Sequence, residues 1–247
     1  MRQNSKGGRI LNIVLAIIQG LTEFLPISSS GHLVLFSKIL NIQTNIAFAA
    51  LLHLGTLVAV FLFAFKSLIR AFKNWKIFLN LIVSTIPAVI VGFTLNEKIE
   101  KTFDDTRFLP IFFCITSVLL LVASMKNGEK NLEEMSFSDA LTIGVFQAIA
   151  VFPGISRSGS TIAACLLLGF KKEDSLSYSF LLALPVIAGA GVLEVSQVDS
   201  RWLYLGIISF LVGFAALFLL KKVVVANKLR IFSIYCLVIG LVSFFVR

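Results

Sequence analysis

The sequence predicts an all-α integral membrane protein: about six transmembrane helices plus two re-entrant helical hairpins, arranged as inverted-topology repeats. Three observations predict it. Of 247 residues, 57% are hydrophobic and the mean hydropathy is +0.95, more apolar than a soluble domain of this length tolerates. Six apolar stretches are each long enough to cross a hydrocarbon layer of about 30 Å. Two further apolar regions, 10–40 and 140–170, are interrupted by Pro, Gly, Ser and charged residues, and they match one another.

The six stretches fall at 46–65, 76–95, 108–125, 176–193, 202–220 and 231–246. Basic residues set their orientation. Lys66, Arg70, Lys73 and Lys76 mark one loop as cytoplasmic, and Lys221, Lys222, Lys228 and Arg230 mark another. Counting outward from these loops places 41–45, 96–107 and 194–201 outside, with 126–139 and 171–174 inside. Region 140–170 then begins and ends inside, as a re-entrant hairpin does. Arg2, Lys6 and Arg9 stand against the scheme, because a mirror-image first hairpin puts them outside. No small-residue cleavage site follows them, so a cleaved signal peptide is not expected.

An offset of 128 residues aligns Gln19 with Gln147, Phe24 with Phe152, Ile27 with Ile155, Ser28 with Ser156, Ser30 with Ser158 and Gly31 with Gly159. The chain therefore reads as one polytopic domain, 1–247, with repeat halves of about 1–127 and 128–247. Broken helices at membrane depth need protein or water to satisfy their backbone, so the hairpin tips face a polar cavity.

The net charge of +9 does not indicate nucleic acid, since the basic residues are loop clusters between spans. Cys114, Cys165 and Cys236 sit within apolar stretches without CxxC or His-rich spacing, and read as small hydrophobes. The charge runs EKIE, EKNLEE and KKED read as solvated loops.

The chemistry lies in the two broken segments. Gln19 and Glu23 are four apart, on one helical face. A carboxylate in hydrocarbon is expensive, which marks Glu23 as functional. Pro26 ends that helix, and Ser28, Ser29, Ser30, Gly31 and His32 form a polar turn offering hydroxyls and N–H groups to an anion. His32 beside them is a candidate general acid or base. In the second segment, Pro153, Gly154, Ser156, Arg157, Ser158 and Thr161 surround a permanently charged guanidinium that suits phosphate. His53 lies in the apolar run ALLHLGTL with no polar partner nearby in sequence, and is left outside the site.

Together QGLTEFLPISSSGHL and PGISRSGSTI resemble the undecaprenyl-diphosphate phosphatase family of bacterial membrane enzymes associated with bacitracin resistance. The likeness covers the (Glu/Gln)-x-x-x-Glu element at Gln19 to Glu23, the Ser-Ser-x-Gly-His turn ending at His32, and Pro-Gly-x-Ser-Arg-Ser-x-x-Thr at Pro153 to Thr161. It implies hydrolysis of a polyprenyl diphosphate to its monophosphate, in the inner membrane, with a site open to the outer face and a divalent cation, Mg²⁺ or Ca²⁺. By matching position it implies that Glu23 and Gln19 bind the metal, that Glu23, Ser29, His32 and Arg157 are catalytic, and that Gly154, Ser28, Ser30, Ser156, Ser158 and Thr161 hold the substrate. Where the family often has a first Glu, this chain has Gln19, so Glu23 alone carries the charge. Whether Ser29 or an activated water attacks stays open, as does a homodimer. The rival reading is a transporter or flippase for a lipid phosphate or other anion, which needs no nucleophile.

Overall fold

The computed structural model describes residues 6–40, 46–192 and 202–246; the expected outer loops 41–45 and 194–201 and Arg2 lie outside these residues. Among the described residues twelve α-helices run in order: α1 (Lys6–Phe24), α2 (Ser29–Leu40), α3 (Ile46–Phe63), α4 (Phe65–Lys73), α5 (Trp75–Thr94), α6 (Asn96–Asp104), α7 (Leu109–Ala123), α8 (Phe137–Ile149), α9 (Arg157–Leu167), α10 (Lys172–Val192), α11 (Leu203–Val225) and α12 (Arg230–Phe244). No strand occurs among the described residues beyond a single bridge between Lys130 and Phe170.

Among the described residues, three helical stretches are long and apolar enough to cross a membrane by themselves: Trp75–Thr94, Thr106–Ala123 and Leu203–Val225. Phe48–Phe63 and Phe65–Lys73 qualify only as a pair, bent by 66°. The span expected at 46–65 corresponds to α3. The chain turns at Ala64, where the expected loop begins, and α4 carries Lys66, Arg70 and Lys73 on an amphipathic helix whose cations cannot continue into hydrocarbon. The 15-residue α12 and the Pro-containing α10 occupy the remaining two expected stretches. Large apolar side chains such as Phe93, Val118, Ile207, Phe218 and Ile234 stay exposed, as a lipid-facing surface requires. This is a multi-pass helical membrane protein.

The loops expected inside meet at one end. Arg70 forks onto the Glu133 carboxylate with Nε–O and Nη2–O distances of 2.9 and 2.8 Å, and reaches Asp174 at 2.9 Å. The Lys76 amine donates to the Glu133 carbonyl, and Lys171 to the Asn131 amide. EKNLEE is thus an organised loop and KKED the start of α10, not merely solvated charge: Arg70 holds the Glu133 carboxyl below the usual carboxylate range.

Lipid tails are as apolar as leucine, so helices here associate by close packing and hydrogen bonds. α1 lies along α11, and α8 lies along α5. Both contacts turn on a glycine: a Cβ at Gly20 would come within 2.8 Å of the Ser209 carbonyl, and one at Gly144 within 2.8 Å of the Ser84 carbonyl. Each helix that enters a broken segment thus packs along a long helix distant from it in sequence. α7 and α12 pair on each other. A core containing Phe24, Ile27, Leu120, Ile162, Phe180 and Leu217 locks the two broken segments together.

Candidate active site

α1 runs to Phe24 with Gln19 and Glu23 buried on one face, and the Gln19 Nε2 donates to Glu23 Oε2 at 2.8 Å. Pro26 removes an N–H and stops the helix. The chain reverses through Ser28 at φ +68°, a left-handed conformation that few non-glycine residues adopt. The turn compensates this: Ser28 Oγ accepts the Gly31 N–H at 3.3 Å and, across the molecule, the Gly154 N–H at 3.0 Å. α2 then starts at Ser29. In the second segment Gly154 takes φ +103°, Ser156 caps α9 by accepting the Gly159 N–H at 3.1 Å, and the helix starts at Arg157.

Two helix N-termini therefore converge, each with unpaired N–H groups in its first turn. Their approach is close. A Cβ on Gly31 would sit 2.8 Å from the Gly154 Cα, and one on Gly159 would sit 3.2 Å from Pro26 Cβ. Ser158 Oγ donates to the Leu25 carbonyl at 3.2 Å, and Thr116 of α7 donates to the Gly154 carbonyl at 2.9 Å.

Ser29 and Arg157 are the first residues of their helices, 128 positions apart, and both point at Glu23. Ser29 Oγ donates to Glu23 Oε2 at 2.6 Å, and Arg157 Nη2 donates to Oε1 at 2.9 Å. One carboxylate thus receives a hydroxyl from one hairpin and a guanidinium from the other. Removing two charges from water costs several kcal/mol, which this pairing offsets. Arg157 has five N–H donors, and its single bond to Glu23 leaves the others for an anion. Ser29, Ser30, Arg157 and His53 are half-buried, whereas Gln19 and Glu23 are sealed, so the former group forms the rim.

Not every expected residue joins this group. His32 is buried with both ring nitrogens engaged: Nδ1 donates to the Ser28 carbonyl at 2.7 Å, and Nε2 lies 2.8 Å from the Tyr235 hydroxyl, which donates to it. Its ring stacks on Tyr235 with centroids 5.6 Å apart and meets the edge of Phe113. It thereby braces the Ser28 turn, and no hydrogen bond joins it to Glu23 among the described residues. Thr161 donates back into α9 and lies 2.7 Å from Ser179 Oγ. Ser156 caps α9, and Ser158 ties its tip to the Leu25 carbonyl of the other. Two residues were missed from sequence. His53 Nε2 lies 3.8 Å from Glu23 Oε2, although the residues are thirty apart in the chain. The signal was present, since an ionisable side chain inside a span is functional by default. Tyr235 gave no signal in its spacing.

For a cation, Glu23 and Gln19 are the available oxygen donors. No group of three or more His, Cys, Asp or Glu side chains gathers among the described residues. The Gln19 Oε1 is buried without a hydrogen-bond partner. One carboxylate and one amide oxygen, completed by ligand oxygens, fit an ion such as Mg²⁺, which seldom takes an all-protein cage.

Fold and site define a polytopic helical membrane protein with a serine, a carboxylate and an arginine joined at two abutting helix N-termini. A family model described as “Bacitracin resistance protein BacA” matches residues 12–242. The chain is 46% identical over 245 residues to an undecaprenyl-diphosphatase of Thermosipho africanus, covering 95% of this chain and 99% of that one. It is 47% identical over 237 residues to one of Thermotoga petrophila (96% and 100% covered), and 45% identical over 245 residues to one of Methanococcus vannielii (95% and 98% covered). The chain belongs to the BacA family.

Proposed function

We propose that this chain hydrolyses undecaprenyl diphosphate to undecaprenyl phosphate and inorganic phosphate, recycling the lipid carrier for cell-wall synthesis and conferring bacitracin resistance. The observation that carries the proposal is the 2.6 Å bond from Ser29 Oγ to a Glu23 carboxylate that also holds Arg157. A carrier needs no such nucleophile–base pair.

In this reading Arg157 and the N–H groups of α2 and α9 bind the diphosphate, turning the positive helix ends toward its charge. Ser29 Oγ attacks the terminal phosphorus and passes its proton to Glu23. The bridging P–O bond breaks, and its electron pair leaves on the lipid monophosphate. Glu23 gives that proton to the departing lipid monophosphate, then takes one from the water that attacks the phosphoserine; phosphate leaves, and Glu23 returns the proton to Ser29 Oγ. Arg157 neutralises charge on the transferring group throughout, the main demand of phosphoryl transfer. Gln19 and Glu23 would hold a divalent cation, Mg²⁺ or Ca²⁺, whose chemistry is to neutralise diphosphate charge.

The architecture belongs to the proposal: α1–α2 and α8–α9 are re-entrant hairpins of opposite orientation in two inverted repeats. The exchanged packing of α1 on α11 and of α8 on α5 supports it. With the Arg70–Glu133 end in the cytoplasm of the inner membrane by the charge rule, the site opens to the outer face. The face of α7 turned away from Thr116 bears an apolar groove of about 660 Å³, lined by Pro110, Ile111, Cys114, Ile115 and Val118, that suits part of an isoprenoid chain.

Phosphate release from a C55 diphosphate by the purified chain in detergent micelles, where transport is meaningless, tests the proposal. Binding without release would leave the carrier reading standing.

A further inference from the structure

The cation reading above leaves His53 unexplained, and its geometry points to a role. The His53 Nδ1 lies 2.8 Å from the Ala49 carbonyl, one turn earlier on α3. A carbonyl only accepts, so Nδ1 carries the proton, and in the neutral ring the Nε2 lone pair is free. That lone pair faces Glu23 Oε2 across 3.8 Å. The gap is too long for a hydrogen bond. It is a normal separation for two ligands of one ion: with metal arms of about 2.1 Å, ligand atoms stand roughly 3.0 Å apart at right angles and about 4.2 Å apart when opposed. A backbone carbonyl that fixes the distal ring nitrogen is the support that metal-binding histidines ordinarily have.

A second observation is independent of His53. Gln19 Oε1 is buried with no partner, while its Nε2 donates to the same Glu23 oxygen. Turning the amide by half a rotation exchanges oxygen for nitrogen, and presents an oxygen donor beside Oε2. Three donors from two helices then surround one volume: a carboxylate and an amide oxygen from α1, and an imidazole nitrogen from α3. His53 is the half-exposed member, with a quarter of its side chain accessible, so an ion could enter past it.

We propose that His53 is a nitrogen ligand of the divalent cation held by Glu23 and Gln19. The site is then a mixed nitrogen and oxygen site. An imidazole donor raises affinity for transition ions such as Mn²⁺, Co²⁺ and Zn²⁺ over Mg²⁺ and Ca²⁺, because hard alkaline-earth ions gain little from nitrogen. This inference rests on the cation reading, but requires nothing about the reaction.

Mn²⁺ is the probe, and pulsed electron paramagnetic resonance of the purified full chain in detergent is the measurement. The expected spectrum shows nitrogen modulation from one imidazole, which changes to the ¹⁵N pattern when histidine is supplied as ¹⁵N-His. The chain has only two histidines, and both nitrogens of His32 are committed, so the labelled wild-type protein answers without any substitution. His53→Gln should abolish the modulation, weaken Mn²⁺ binding by about tenfold or more, and narrow its preference over Mg²⁺. Bound Mn²⁺ without ¹⁵N sensitivity, or no Mn²⁺ binding at all, overturns the proposal. Phosphate release by the same preparation separates the two readings: release without histidine coupling defeats the His53 assignment alone, and coupling without release supports it while defeating the phosphatase.

Discussion

The two hairpin tips share a backbone plan and divide the chemistry. At positions 128 apart, Ser28 and Ser156 accept the N–H of Gly31 and Gly159, and these glycines lie against Gly154 and Pro26 of the opposite tip. These positions match and build the scaffold. The positions that differ set the polar groups of each tip: Ser29 stands where the second copy has Arg157, Glu23 where it has Val151, and His32, which braces the Ser28 turn, where it has Ser160. The matched positions thus align two helix N-termini, and the differing positions put a hydroxyl and a carboxylate at one and a guanidinium at the other.

That division is broken most directly at Ser29 and Arg157. Ser29→Ala should reduce phosphate release by at least about 10³-fold, because it removes the attacking atom. Arg157→Ala should cost about 10³-fold or more through lost neutralisation of the transferring group. Only the wild type and Arg157→Ala retain the hydroxyl that rapid quenching with labelled diphosphate could trap as phosphoserine. Phosphoserine formed by Ser29→Ala at another residue would remove the assignment of roles.

The shared scaffold is probed next. Gly31→Ala drives a methyl group against the Gly154 backbone at 2.8 Å, where nothing flexible can yield. The tips must part, and misplacing reacting groups by about 1 Å costs roughly 10²-fold in turnover. Gly159→Ala meets Ser156 Cβ at 3.0 Å and Pro26 Cβ at 3.2 Å, so its loss should be smaller. Steady-state rates of the two variants, compared at equal fold content by circular dichroism, test that order.

Ser28 and Ser156 distinguish a cap from a cross-link. Ser156→Ala loses one helix cap, about 1 kcal/mol. Ser28→Ala loses its cap and also leaves the buried Gly154 N–H unpaired, a further 1–3 kcal/mol or so. Thermal unfolding in detergent should therefore fall further for Ser28→Ala; equal shifts would mean that the bond between tips contributes nothing.

The helical membrane class and the two broken segments were legible because composition, span length and the Pro, Gly and Ser interruptions are properties of the chain itself. The end of the apolar path near Ala64 was marked by Lys66, Arg70 and Lys73; that these cations lie on a helix, α4, set at 66° to α3 was not. Glu23, Ser29 and Arg157 were marked by the expense of charge in hydrocarbon and by the hydroxyls around them. That His32 spends both nitrogens on Ser28 and Tyr235, while His53 faces Glu23, depends on how α2, α3 and α12 lean on α1 and α7. Spacing along the sequence contains no such information.

The smallest expected effect sharpens the comparison most, because it concerns a residue that both copies kept. Gln19 and Gln147 are each buried, and each leaves its Oε1 without a partner. Gln147 donates from Nε2 to the Ser84 carbonyl at 3.2 Å, and one turn further along lies Val151; Gln19 donates to Glu23. If an orphan amide oxygen alone made a cation site, both copies would have one. If the carboxylate is what matters, Gln147 is a packing residue. Gln147→Leu loses one neutral hydrogen bond of about 1 kcal/mol and also removes an unpaired buried oxygen, so stability should barely move and turnover should stay within about twofold. Gln19→Leu should raise the divalent-cation concentration needed for half-maximal rate by about tenfold. Titrating Mg²⁺ or Mn²⁺ against phosphate release in the two variants gives the answer: similar shifts in both would erase the distinction between the tips, and a shift confined to Gln19→Leu would place the cation at the first tip alone.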